Sequence, residues 1–171
     1  MILTKVLTIK KETALASAEF LTLTAIATLA PLSGHNQAVT GPVVNATLFL
    51  AAALLGPQNA ILVGLIPSVV ALSAGLLPAV LAPMIPFIMI SNTVLVLTFA
   101  HLRRKNFWFG VAAASALKFI FLLSTSTMVM NLITKQEIAQ KAASMMSWPQ
   151  LFTALGGGGI AYLTLKSFKR I

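Results

Sequence analysis

The sequence predicts an all-α membrane protein: one bundle of six transmembrane helices with both termini in the cytoplasm. From Phe20 to Leu102 no Asp, Glu, Lys or Arg occurs. At about 1.5 Å per helical residue, such a run crosses a hydrocarbon core of roughly 30 Å about four times. The whole chain is 58% hydrophobic and 9% charged. Its apolar runs do not alternate with polar residues, as the strands of a membrane barrel would.

Turn and helix-breaking residues divide this single domain into its spans, which cover residues 13–32, 40–55, 60–77, 79–100, 107–132 and 149–165. A polar loop of residues 33–37 ends the first span, and the turn signal Gly-Pro-Gln-Asn at 56–59 ends the second. Pro42, Pro57 and Pro78 are expected at helix starts, where a missing N–H is tolerated. Pro67 lies inside the third span. We expect it to cause either a harmless kink or a break in the helix that faces protein or a cavity.

Basic residues set the direction of the spans. Nine of the twelve fall into three clusters: Lys5, Lys10 and Lys11; Arg103, Arg104 and Lys105; and Lys166, Lys169 and Arg170. With six spans all three clusters lie on one side, and the positive-inside bias makes that side the cytoplasm. The lipid bilayer thus explains the net charge of +9, and nucleic acid is not expected as a partner.

Several kinds of chemistry are absent from the sequence. There is no cysteine and no Asp, so disulfides and thiolate metal sites are excluded, and paired acids for catalysis are missing. His35 alone is not enough for a metal site, since transition metals take three or four ligands. We therefore expect no enzyme activity, no metal and no cofactor bound by this chain.

Lys118 is the most informative single residue, because it lies inside the fifth span between apolar neighbours. A lysine at mid-membrane costs roughly 2.5–3.5 kcal/mol on insertion scales and usually faces a partner or a cavity. Three roles are open. The ammonium is a counter-charge for an anionic substrate, pairs with Glu19 of the first span, or reaches along its stem to an interface.

Other polar residues are candidates for the same binding site. His35, Asn36, Gln37 and Thr40 concentrate hydrogen-bonding groups in the first external loop, and Asn92 and Asn131 lie within spans four and five. An ordinary hydrated loop and bonds between helices are the alternatives. Residues 134–147 are expected to form either an interfacial helix or a lid over an external cavity.

Small residues mark two places where helices can approach closely. Ala14 and Ala18 are four residues apart in the first span, a spacing that admits a second helix. The four glycines at 156–159 in the sixth span allow close packing or local unwinding.

The chain resembles the substrate-binding S components of energy-coupling factor (ECF) transporters. The resemblance lies in six spans, the Ala14/Ala18 spacing, the polar first loop, and the stretches 37–46 and 67–72 up to Pro86. It implies a carrier for a vitamin, a vitamin precursor or a metal in the inner membrane of a prokaryote. It also implies docking through span one onto a membrane coupling subunit that two ATPases drive, so that ATP is used by the partners.

Two other classes of function compete with this interpretation. One is a homo-oligomeric channel or secondary carrier, and the other is a structural membrane protein without a ligand. Coupled proton transport usually relies on an intramembrane carboxylate, and Glu19 is the one acid within a predicted span.

Overall fold

The helices account for nearly all of the residues that the computed structural model describes, which are 2–33, 37–75, 79–133, 140 and 143–171. The described residues form six α-helices: α1 (Ile2–Leu29), α2 (Gln37–Leu54), α3 (Pro57–Ser73), α4 (Ile85–Leu102), α5 (Phe107–Ile133) and α6 (Trp148–Ser167). Two 3₁₀ segments, Pro31–Ser33 and Ala79–Met84, precede α2 and α4. These residues contain no strand, so the predicted all-α class is confirmed.

Three helical stretches in the described part of the chain are long and apolar enough to cross a membrane: Gln37–Leu54, Ala82–Leu102 and Phe107–Val129. Helix α3 is apolar but shorter, at 17 residues. Helix α1 is longer than any of these but carries Glu12 and Glu19. The protein thus has helices of the kind that membrane proteins use to span a bilayer.

Helix α1 runs from Ile2 to Leu29, so the lysine-containing segment before the predicted first span belongs to the same helix. One predicted helix start is wrong. Helix α2 begins at Gln37, so Pro42 lies inside it rather than at its start. Pro42 has no N–H to donate to the carbonyl four residues earlier, so α2 forgoes one helical hydrogen bond at this position.

Prolines also lie in α3, in the second 3₁₀ segment and in the first turn of α4. Pro57 stands at the start of α3 as predicted, and α3 continues through Pro67 as one helix. The region predicted as the fourth span begins with the 3₁₀ segment Ala79–Met84 and continues as α4. Pro83 lies in the 3₁₀ segment and Pro86 in the first turn of α4, because neither proline supplies an N–H to an α-helix that began earlier. Pro78 lies outside the described residues.

Helix α2 is the centre of the bundle. Its residues 45–52 are all buried, and it packs against α1, α3, α4 and α6. A helix that is apolar on every side is stable only when neighbours cover all of its faces. Phe49 of α2 contacts Phe99 of α4 edge to face, with ring centroids 4.8 Å apart.

Glycines on α6 bring that helix against α2 and α5. A Cβ on Gly157 would lie 2.7 Å from Asn45 Cβ, and a Cβ on Gly158 would overlap the side chain of Val111. Helix α6 is continuous through all four glycines, so of the two predicted roles Gly157 and Gly158 serve close packing. Within lipid, such close contact is a main source of helix association.

We expect Gly158→Ala to lower the free energy of unfolding by about 1–3 kcal/mol, because its methyl group must displace Val111. Gly159→Ala is the matched control: a Cβ there meets nothing within 4 Å, and alanine favours a helix by about 0.5–1 kcal/mol. Thermal unfolding of the purified variants in detergent measures the difference. Equal melting temperatures for the two variants would contradict the packing described here.

Candidate functional site

A buried lysine joins three helices inside the bundle. Lys118 of α5, Asn45 of α2 and Asn92 of α4 are each less than 5% exposed. Lys118 Nζ donates a hydrogen bond to Asn45 Oδ1 at 2.7 Å and another to Asn92 Oδ1 at 2.8 Å. We call these three residues the lysine–amide cluster.

The cluster lies at one depth because of where its residues stand in their helices. Lys118 lies roughly three turns after the start of α5. Asn45 and Asn92 lie between two and three turns before the ends of α2 and α4. Since α5 follows α4 through a short turn and runs back along it, these three positions come to a similar level in the bundle.

Backbone carbonyls hold both asparagine amides in one orientation. Asn45 Nδ2 donates to the Gly41 carbonyl at 2.9 Å, and Asn92 Nδ2 donates to the Gly64 carbonyl of α3 at 2.9 Å. A flipped amide would turn its NH₂ towards the ammonium and its oxygen towards a carbonyl, and both contacts are repulsive. The two amide oxygens are therefore fixed on Lys118.

The positive charge of the cluster has no acidic partner among the described residues. Glu19 instead lies 3.6 Å from Arg170, from Oε1 to Nη2. The interpretation that pairs Lys118 with Glu19 is therefore wrong, and so is the one that extends Lys118 to an interface, since its amine ends on two buried amides. Glu137, the third acid of the chain, lies outside the described residues.

A cavity of about 190 Å³ lies beside the cluster. It is bounded by the first turns of α2, α4 and α6, the middle of α3 and α5, and residues before α6. Its lining comprises Pro31, Gln37, Thr40, Gly41, Val44, Asn45, Pro67, Ser68, Ala71, Ile88, Asn92, Lys118, Met145, Met146 and Gln150. We call the end of the bundle at which α2, α4 and α6 begin the mouth end.

Two glutamines attach the segment before α6 to the mouth of the cavity. Gln37 Nε2 of α2 donates to the Met145 carbonyl at 3.1 Å, and Gln150 Nε2 of α6 donates to the same carbonyl at 3.4 Å. Met146 is buried beside them. Met145 and Met146 thus contribute to the wall of the cavity, and most of the segment predicted as an interfacial helix or lid lies outside the described residues.

The cavity brings together four of the predicted binding residues: Gln37, Thr40, Asn92 and Lys118. Asn131 lies in α5 between three and four turns beyond Lys118, and its side chain lies outside the described part of the chain. His35 and Asn36 lie outside the described residues. The predicted docking residues Ala14 and Ala18 are both exposed on α1.

Asn45 and Gln150 are site residues that the sequence did not single out. A signal for Asn45 exists, because the sequence Gly-Pro-x-x-Asn at 41–45 resembles Gly-Pro-Gln-Asn at 56–59. Asn45 and Asn59 each donate to the carbonyl four residues earlier. Only Asn45 is buried, and burial is what the pattern alone does not reveal.

The chemistry of the site is that of binding. It offers one ammonium, several amides and hydroxyls, and an apolar wall, which suits a small molecule held by a few polar contacts. Within the described part of the chain, no three His, Cys, Asp or Glu side chains come together as metal ligands would. Comparison of the chain with protein-family models, curated proteins and solved structures finds no match.

We expect Lys118→Met to be less stable than Lys118→Gln by about 2 kcal/mol or more. Both variants remove the charge, but methionine leaves two buried amide oxygens without a donor, each at a cost of about 1–3 kcal/mol. Glutamine still carries two N–H donors. Denaturation of both variants under identical conditions measures the difference, and equal stability would show that the two hydrogen bonds contribute nothing.

Proposed function

We propose that the chain is the membrane-embedded substrate-binding subunit, or S component, of an ECF-type uptake transporter for a vitamin, a precursor or a metal. The observation that carries the proposal is the cavity around Lys118 inside a helical bundle. A binding subunit needs a cavity with a few polar groups in fixed positions. The cavity beside Lys118 is such a space, and the lysine–amide cluster supplies the fixed polar groups.

In this proposal all six helices cross the inner membrane of a prokaryote, with both termini in the cytoplasm. The three basic clusters support that direction. Trp108 and Tyr162 lie at the end away from the mouth with ring centroids 4.9 Å apart, and Trp148 lies at the mouth end. Aromatic residues at both ends suit a bundle that spans a bilayer, because Trp and Tyr are enriched at both membrane interfaces. The mouth of the cavity then faces the outside, where an uptake protein collects its substrate.

Docking onto a coupling subunit uses α1 in this proposal. Ala14 and Ala18 are exposed and small, so a partner helix can approach the backbone there. Glu19 lies near this surface and would oppose an apolar contact if it were unpaired. Its ion pair with Arg170 reduces that penalty.

The second candidate is a structural membrane protein without a ligand. The observation in its favour is that the hydrogen bonds of the lysine–amide cluster themselves tie α2, α4 and α5 together. A homo-oligomeric channel or secondary carrier is the third candidate.

Native mass spectrometry of the tagged protein, gently purified from its own membranes, separates these candidates. We expect a retained small molecule and a complex that contains a coupling subunit and two ATPases. A bare homo-oligomer without a small molecule would overturn the proposal in favour of a channel or a structural role.

A double variant of the docking residues sharpens the same measurement. Ala14→Leu with Ala18→Leu adds bulk to the exposed face of α1, so we expect loss of the coupling subunit and ATPases with the small molecule retained. Ala112→Leu, also at an exposed alanine, is the matched control and should leave the complex intact. Loss of partners from both variants, or from neither, would count against docking through α1.

A further inference from the structure

The cavity contains one charged group among its described lining residues, the ammonium of Lys118. An ammonium has three N–H donors, and Lys118 Nζ gives two of them to Asn45 and Asn92. Both partners are neutral, so the hydrogen bonds compensate the charge only in part. A buried charge without an opposite charge is unfavourable, and an anion placed beside it relieves that cost.

The charge of the bound group follows from what surrounds the ammonium. A carboxylate matches the single positive charge, whereas a phosphate dianion would need further cationic or N–H donors. One N–H of each amide in the cluster is used by the carbonyl of Gly41 or Gly64, and Asn45 Nδ2 also donates to Thr153 Oγ1 at 3.5 Å. The two amide oxygens that flank Lys118 would also repel a second negative charge.

The size and character of the rest of the ligand follow from the walls. Val44, Pro67, Ala71, Ile88 and Met146 give the cavity a largely apolar lining. Its volume of about 190 Å³ is below the roughly 300–1,000 Å³ of sites that take drug-sized molecules. A small molecule with an apolar body fills such a space without leaving polar groups unpaired.

We propose that the cavity binds a small monocarboxylate, with its carboxylate on Lys118 Nζ and its apolar body against α3 and α4. This assignment rests on the proposed function, since it names the class of substrate for the same site. Of the substrates proposed above, which are a vitamin, a precursor or a metal, this assignment favours one that is an organic acid.

Thermal unfolding in the presence of simple probes tests the assignment. Hexanoate and benzoate are compared with hexanamide and benzamide, which have the same shape without the charge, and chloride keeps the ionic strength constant. A carboxylate at about ten times its Kd should raise the Tm of the wild-type protein by about 3–6 °C. The amides should shift it by less than about a third of that amount.

Variants locate the effect at the cluster. Lys118→Gln removes the charge and keeps two N–H donors, so its Tm should not respond to the carboxylates. Asn92→Asp keeps Lys118 and places a carboxylate of the chain beside it, which should also abolish the response. Lys166→Gln makes the same change at an exposed lysine of α6 and should respond like the wild type.

Three results would overturn the assignment: equal shifts with carboxylates and amides, an unchanged response in Lys118→Gln and Asn92→Asp, or no shift of the wild type with either carboxylate. If Lys118→Gln does not fold, the carboxylate–amide comparison and Asn92→Asp still decide. The proposed function fails separately, by native mass spectrometry. A retained neutral molecule in a complex with ATPases would refute the monocarboxylate and leave the S-component proposal standing.

Discussion

The structure depends on how a single ammonium is accommodated between apolar helices. Lys118 is buried with its amine on the oxygens of Asn45 and Asn92, and those amides are in turn held by the carbonyls of Gly41 and Gly64. Four helices, α2 to α5, meet in this chain of hydrogen bonds. Because a buried amine without acceptors is strongly unfavourable, the helices keep the rotation and depth at which all of these partners meet.

Close packing of α6 makes that arrangement possible. Gly157 lets the backbone of α6 approach the backbone of α2 beside Asn45, and Gly158 leaves room for the side chain of Val111 of α5. The first turn of α6 then reaches the cavity, where Gln150 and Gln37 hold the Met145 carbonyl over its mouth.

The sequence predicts the features that depend on local composition. Apolar length predicts α5 and α6 to within two residues, and Pro57 predicts the start of α3. Lys118 and Asn92 stand out as binding candidates because polar groups are rare within apolar spans. Contacts between side chains of different helices are not predicted in this way, because they depend on how each helix is rotated and how deep it lies in the bundle. For that reason Glu19 pairs with Arg170 rather than with Lys118, and Asn45 is visible in the sequence only as a turn residue after Gly-Pro.

Lys118 and its amide partners act as one unit at the base of the cavity. A double-mutant cycle with Lys118→Met, Asn92→Leu and the combined variant tests it most directly, with unfolding free energies measured in the same detergent. If the hydrogen bond from Lys118 to Asn92 holds α4 to α5, the cycle gives a coupling of about 1.5–3 kcal/mol, as expected for a hydrogen bond to a charged group. Additive effects of the two substitutions, with coupling below about 0.5 kcal/mol, would contradict the account.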